Sequence, residues 1–262
     1  MKAAYIILHT ILSFYPLCTI GQDKINWDSL YQFNFKYLSK DSLSKGYWQE
    51  DKKNGIKRWY NTSLIVEGHR NKEYQLKIGS LEERMKQWTE QEISKAKKPA
   101  YSNPFASKEG KEAIFYANLA RINGAKFVST ILIEYLKDTS KYELSLLKTL
   151  SSQKNMEPLR NGLLLTSMAK SYARYTGKRG LVGHINFNRR FSLLIRMKKT
   201  VGENCTYGRT TGLSALMSLL IDEDIPSLGH RKNILSKDFK NVGVAFHEHT
   251  KFGVNAVMEF SD

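Results

Sequence analysis

The chain has 262 residues, a formal net charge of +16, and 41% hydrophobic and 11% aromatic content. This is the composition of a packed globule rather than a disordered chain, and the length allows one large domain or a domain with an extension. The charge favours anionic surfaces such as cell-envelope lipid or acidic glycan, or a protein partner, over neutral ones. Lysines are spread along the chain and no helix-turn-helix, RNA-binding or zinc-finger spacing occurs, so no nucleic acid partner is expected.

Residues 1–21 read as a signal peptide. Lys2 supplies the positive start, and Ala3 to Leu17 is a mostly apolar run broken by His9, Thr10, Ser13 and Pro16. It is too short and interrupted for a good membrane-spanning helix. Thr19 and Gly21 are small residues at the spacing a signal peptidase accepts, which makes Gln22 the expected mature start. Cys18 invites a lipoprotein reading, but Tyr15-Pro16 fits badly ahead of a lipid-modified cysteine. The expectation is a secreted or periplasmic protein without that anchor. Removing the signal leaves Cys205 without a partner, so no structural disulfide is expected.

Residues 22–107 form an N-terminal region to which no fold is assigned. Trp27, Tyr31, Phe33, Phe35 and Tyr37 partly alternate, and Gly46-Tyr47-Trp48 through Trp59-Tyr60-Asn61 reads as loop and strand. Asn61-Thr62-Ser63 fits a glycosylation sequon. Ser80 with Glu83 is a capping box that should open a helix running to about Lys97. Pro99 and Ser102-Asn103-Pro104 then mark a linker.

Residues 108–262 read as one domain. Ile114, Ala117, Ile122, Ala125, Val128 and Leu132 recur at helical intervals and predict a long helix from about Lys111 to Leu136. A second helix is expected over Leu159 to Tyr175, closed by Gly177. The loop from Gly177 to Gly183 leads into His184. A third helix is expected over Thr211 to Ile221, and Asp222 to Asn233 reads mostly as loop. Val242, Val244 and Phe246, then Val254, Ala256, Met258 and Phe260, alternate with other residues and predict an antiparallel hairpin. Helices first and strands last on one core make an α+β pattern.

Five segments carry the chemistry: Asn118-Leu119-Ala120-Arg121, Gly183-His184-Ile185-Asn186-Phe187, Gly202-Glu203-Asn204, Gly229-His230-Arg231-Lys232-Asn233-Ile234-Leu235, and Val242-Gly243-Val244. In this order and at these spacings the chain resembles the CAP superfamily, which includes cysteine-rich secretory proteins, antigen 5 and pathogenesis-related 1 proteins. The fourth segment resembles the family's bacterial branch. The resemblance implies a CAP-type α-β-α sandwich with a central antiparallel sheet, preceded here by an N-terminal extension. It also implies a cleft lined by two histidines and two acidic residues, where the histidines can hold a divalent metal. His184, Glu203 and His230 match three of the four. Asp222 stands at the fourth place, although the tryptophan often found three residues earlier is absent.

The residues support this chemistry on their own terms. Two imidazoles suit zinc, copper or nickel, and two protein ligands leave positions open for water or a ligand group. Glu203 could orient a histidine or take a proton from metal-bound water, and Asp222 could do the same for His230. The same His–carboxylate pairs could instead only tie loops together. His247 and His249 could share a strand face as a second ligand pair, but exposed turn histidines are the expectation. Cys205 invites a Cys–His nucleophile reading, against which a small buried thiol is expected. Arg121 and Arg231 read as structural partners, with Arg231 nearer to function because it adjoins His230. Asn204 and Asn233 read as loop-shaping residues. The function expected first is a non-catalytic extracellular binding module with no required cofactor, its cleft able to hold a divalent metal such as zinc. The alternatives are a metal-dependent, peptidase-like hydrolase using the same cleft, and a scaffold that binds through the N-terminal region.

Overall fold

The computed structural model describes residues 46–51, 56–61, 65–66, 69–70 and 80–262, except 137–139, 154 and 198. The expected signal peptide with Cys18, the aromatic run from Trp27 to Tyr37, and Thr62 and Ser63 of the expected sequon lie outside the described residues. The chain divides into two compact units, residues 1–85 with 136–139, and residues 86–135 with 140–262.

In the first unit, β1 (Gly46–Asp51) pairs antiparallel with β2 (Ile56–Asn61), and β3 (Ile65–Val66) pairs with β4 (His69–Arg70). The expected capping box forms: Glu83 N–H donates to Ser80 Oγ, and Ser80 N–H donates to the Glu83 carboxylate. The helix it opens, α1 (Leu81–Met85), is a single turn rather than the predicted helix to Lys97.

The second unit begins with a fresh capping box, Thr89 with Glu92, which starts α2 (Glu90–Tyr101). Pro99 lies inside this helix, and Asn103 is buried, donating to Asn161 and Thr166. The expected linker is therefore a fixed segment. Ser107 caps α3 (Lys108–Ile122). The predicted continuation to Leu136 breaks at Asn123, whose φ of −148° leaves the helix and whose side chain accepts from Lys126 N–H. That bond caps α4 (Gly124–Thr130), and a 3-10 turn follows at Leu132–Glu134. An asparagine side chain bonding to nearby backbone offers an alternative to continued helix, and here it wins. Ser140 with Glu143 caps α5 (Lys141–Ser151), an element the sequence reading missed.

β5 (Arg160–Asn161) leads into α6 (Leu163–Arg179), which starts later and ends later than predicted. Gly180, at φ +61°, is its left-handed cap. Gly177 is instead an inward-facing contact, because a Cβ there would sit 2.1 Å from Glu248 O. Two short helices follow, α7 (Phe187–Arg190) and α8 (Ser192–Arg196), then β6 (Val201–Tyr207). Thr211 caps α9 (Gly212–Ile221), close to prediction, and α10 (Gly229–Ile234) forms within the expected loop. The expected hairpin is β7 (Asn241–His249) with β8 (Gly253–Ser261), and Val242, Val244 and Phe246 lie opposite Phe260, Met258 and Ala256.

The sheet order is β5-β7-β8-β6, antiparallel except for the parallel β5–β7 pair. Its alternating side chains meet helices on both faces. On one face Ala169, Tyr172 and Ala173 of α6 pack on Cys205, Ala245 and Val257. Leu165 of the same helix packs with Phe191 and Leu194, which brings α7 and α8 to that layer. Gly243 lets α6 approach β7 closely, since a Cβ there would meet Thr166 N at 2.0 Å. On the other face lie α3, α9 and α10, with Phe239 against Phe260. The result is a helix–sheet–helix sandwich in which β6 is an edge strand.

Candidate functional site

The edge strand β6 organises the site because its side chains point alternately into the two layers. Glu203 reaches toward the α6 layer and Asn204 toward the opposite one. His184 Nδ1 lies 2.7 Å from Glu203 Oε1. On the other side Asn204 Nδ2 donates to His230 O, which fixes the start of α10 against the strand. The two imidazoles therefore come from opposite layers and meet beyond the edge of β6, their centroids 6.5 Å apart. His184 is about half exposed and His230 about one-fifth, so solvent reaches both.

Each ring is held by a carboxylate at Nδ1. His230 Nδ1 lies 2.7 Å from Asp222 Oδ1. An ionised carboxylate only accepts, so both Nδ1 atoms carry the proton, and a neutral ring then has its lone pair on Nε2. Asp222 sits in the left-handed region at φ +58°, just past α9, and its Oδ2 accepts from the backbone N–H of His230 and of Arg231. One buried carboxylate thus orients a ring and satisfies two N–H groups in the first turn of α10.

The loop carrying His184 is pinned by two phenols that sequence reasoning missed. Tyr172 O–H donates to Gly183 O and accepts from Ile185 N–H, while Tyr207 Oη accepts from Gly183 N–H. Gly183, at φ +83°, makes the turn that such a grip requires. Arg190 stacks on the Tyr172 ring, 3.4 Å from its centroid. It also donates to Glu203 Oε1 and to Glu259 Oε1. Glu259 was not foreseen either; the alternation of β8 marks its position, but nothing in its neighbours marks it as special.

Glu203 is fully buried at its side chain. Burial alone would raise its pKa, but hydrogen bonds from His184 and Arg190 outweigh this and hold it below the usual carboxyl range. Glu259 goes the other way: burial and then the Glu203 charge push it up to about 9. With Oε1 taken by His184 and Arg190, Glu203 is poorly placed to serve as the base the hydrolase reading assigned to it.

Other expectations divide. Cys205 is a buried free thiol, raised well above its usual range by burial and by the Glu203 and Glu259 charges, which disfavours a nucleophilic thiolate. His184, Glu203 and Cys205 do place one donor atom each within 4.8 Å of one another. The protonated thiol and the occupied carboxylate make this trio a poor ligand set. Arg231 is a structural clamp rather than a cleft residue. It is buried and donates to Leu220 O, Ile221 O, Tyr142 O and Ser145 Oγ. Arg121 likewise binds the carbonyls of Glu157, Ile234, Ser236 and Phe239, and burial lowers its pKa to about 10. Asn233 Nδ2 donates to Asn204 Oδ1, as a loop-shaping pair should.

The expectation of exposed turn histidines fails for His249, which is buried. Its Nε2 donates to Leu181 O, and its Nδ1 accepts from Lys251 N–H and Phe252 N–H. Nδ1 closes the β7–β8 turn and Nε2 ties it to Leu181 beyond α6; both nitrogens are used, so His247 and His249 are not a ligand pair. Among the described residues no helix is long and apolar enough to cross a membrane.

No curated protein matches this chain. A family model described as cysteine-rich secretory protein family (CAP) matches residues 116–260, more than half of the chain, and the match contains His184, Glu203, Asp222 and His230. The sandwich, the histidines meeting beyond the edge strand and this match agree: the chain belongs to the CAP family.

Proposed function

We propose that the protein is a secreted, non-catalytic binding module whose cleft holds a divalent metal such as zinc between His184 and His230. One observation carries this reading: each ring is fixed by a carboxylate at Nδ1, so the free donor of each is Nε2, and the rings lie 6.5 Å apart. Carboxylate-oriented imidazoles are the usual donors for such ions; tetrahedral zinc with Zn–N bonds of about 2.1 Å needs the ring centroids about 5.3 Å apart, so the rings close by about 1 Å when they share one ion. When bound, the metal supplies open positions for an anionic group of a ligand. Glu203 and Asp222 orient the rings and stay outside the coordination set.

The engagement of both carboxylates counts against the hydrolase alternative, which needs a base free to take a proton. Secretion rests on the signal-peptide features of residues 1–21, and the charge of +16 suits an anionic cell-envelope lipid or glycan. Titration of the purified protein with zinc by calorimetry tests the metal site. His184→Ala and His230→Ala should each weaken binding by more than the roughly 10–100-fold that loss of an outer hydrogen-bond partner costs. Unchanged affinity in both variants, or no uptake by the native protein, would sink the reading. Zinc-dependent hydrolysis lost in the same variants would favour the enzyme instead.

A further inference from the structure

Strand pairing sets Glu259 of β8 directly opposite Glu203 of β6, and both side chains are fully buried. Like charges placed this way repel. The cation that meets them is Arg190, whose Nη1 donates to Glu259 Oε1 (2.9 Å) and whose Nη2 donates to Glu203 Oε1 (2.8 Å). Nη1 also lies 2.5 Å from Glu203 Oε2, but off the hydrogen-bond direction. Oε2 of Glu203 and Oε2 of Glu259 are thus both buried with no hydrogen-bond donor. Two carboxylates against one guanidinium would leave an excess buried charge as well as two orphaned acceptors. Neither condition is tolerated cheaply in a protein interior. A single proton shared between the two Oε2 atoms removes both problems.

We propose that Glu259 holds a proton at neutral pH and donates it to Glu203, which makes Glu259 a positioning residue for His184. The link runs through Glu203: with Oε2 held by Glu259 and Oε1 shared by Arg190 and His184, the carboxylate cannot turn away from the imidazole. Every other titratable group near Glu259 leaves this assignment intact. Cys205 beside it on β6 and Tyr172 on α6 are neutral, both pushed up first by burial. Gly243, its neighbour on β7, has no side chain. His184 lies on the far side of Glu203. The elevated pKa of Glu259 agrees with this placement. For its effect on metal the inference rests on the proposed histidine cleft; the shared proton does not.

Two measurements on the full chain test the two parts separately. In protein labelled with carbon-13 at glutamate Cδ, one resonance should be missing from Glu259→Gln, keep the shift of a protonated acid through neutral pH, and move only near pH 9. Titration of that resonance in the ordinary carboxyl range would overturn the proton assignment. In zinc titrations, Glu259→Gln, whose amide supplies the same donor, should match the native protein, while Glu259→Leu should weaken binding by about tenfold or more. Native affinity in Glu259→Leu, or an equal loss in Glu259→Gln, would overturn the positioning role. If Glu259→Leu does not fold, the resonance and the Glu259→Gln titration decide. If the native protein takes up no zinc, the metal reading fails and the resonance alone decides the proton.

Discussion

The two histidines of the cleft are held by the same kind of contact and by different kinds of support. On the His230 side, Asp222 is backed by the main chain: its second oxygen takes two N–H groups of the helix that carries His230. On the His184 side, Glu203 is backed by side chains alone, Arg190 and Glu259, and the loop is gripped by Tyr172 and Tyr207. Backbone support is local, since Asp222 and His230 are eight residues apart. Side-chain support draws together α6, α7, β6 and β8, so it exists only once the sandwich has closed. The lesson is that one half of the cleft is a property of a loop, and the other half is a property of the fold.

The largest expected effect breaks the side-chain half. Arg190→Met removes the cation between two buried carboxyls and should cost about 3 kcal/mol in urea unfolding, the low end for stripping one partner from a buried ion pair. An equal cost in Asp222→Ala would show the two sides to be equally supported, and a larger one there would reverse the contrast. Asp222→Ala leaves the buried N–H of Arg231, the part-buried N–H of His230 and one imidazole N–H without an acceptor, and should cost about 2 kcal/mol by the same measurement. No loss of stability there would remove the backbone role assigned to Asp222.

Smallest per pH unit is a dependence on pH, and it sharpens the contrast. Because the folded pKa of Glu259 is raised to about 9, the folded chain keeps a proton that the unfolded chain has lost above its ordinary value of 4.5. Its contribution is complete below that ordinary value and is lost as pH rises toward 9. Glu203 has the opposite sign: its lowered pKa gives stability above the ordinary carboxyl range that is lost in acid. Between about pH 6 and 9 the native protein should therefore lose stability, by at most the linkage limit of about 1.4 kcal/mol per pH unit for one proton. Glu259→Gln should flatten that decline in thermal unfolding; an unchanged slope would place the titrating group elsewhere.

Some of this was legible in the residues. Helix starts marked by Ser80, Ser107 and Thr211 were readable or nearly so, because a hydroxyl that accepts from an N–H three residues on is a local event. The β7–β8 hairpin was readable because alternation needs only a short stretch of chain. Helix ends were less so: Asn123 stops α3 through its own side chain, and Gly177 was mistaken for a cap although it faces Glu248. Arg231 was readable as a structural partner, but the burial of His249 was not, because its partner Leu181 is 68 residues away.

By itself the sequence determined the α+β pattern and the order of the five segments, among them those that carry His184, Glu203 and His230, since each is written in residue type and spacing. Only the tertiary structure decided that β6 is an edge strand, that the two rings meet beyond it, and that Glu259 stands behind Glu203. Those facts depend on strand order and cross-strand register. Both are set by how helices pack on the two sheet faces, and short-range pattern carries no information about that packing.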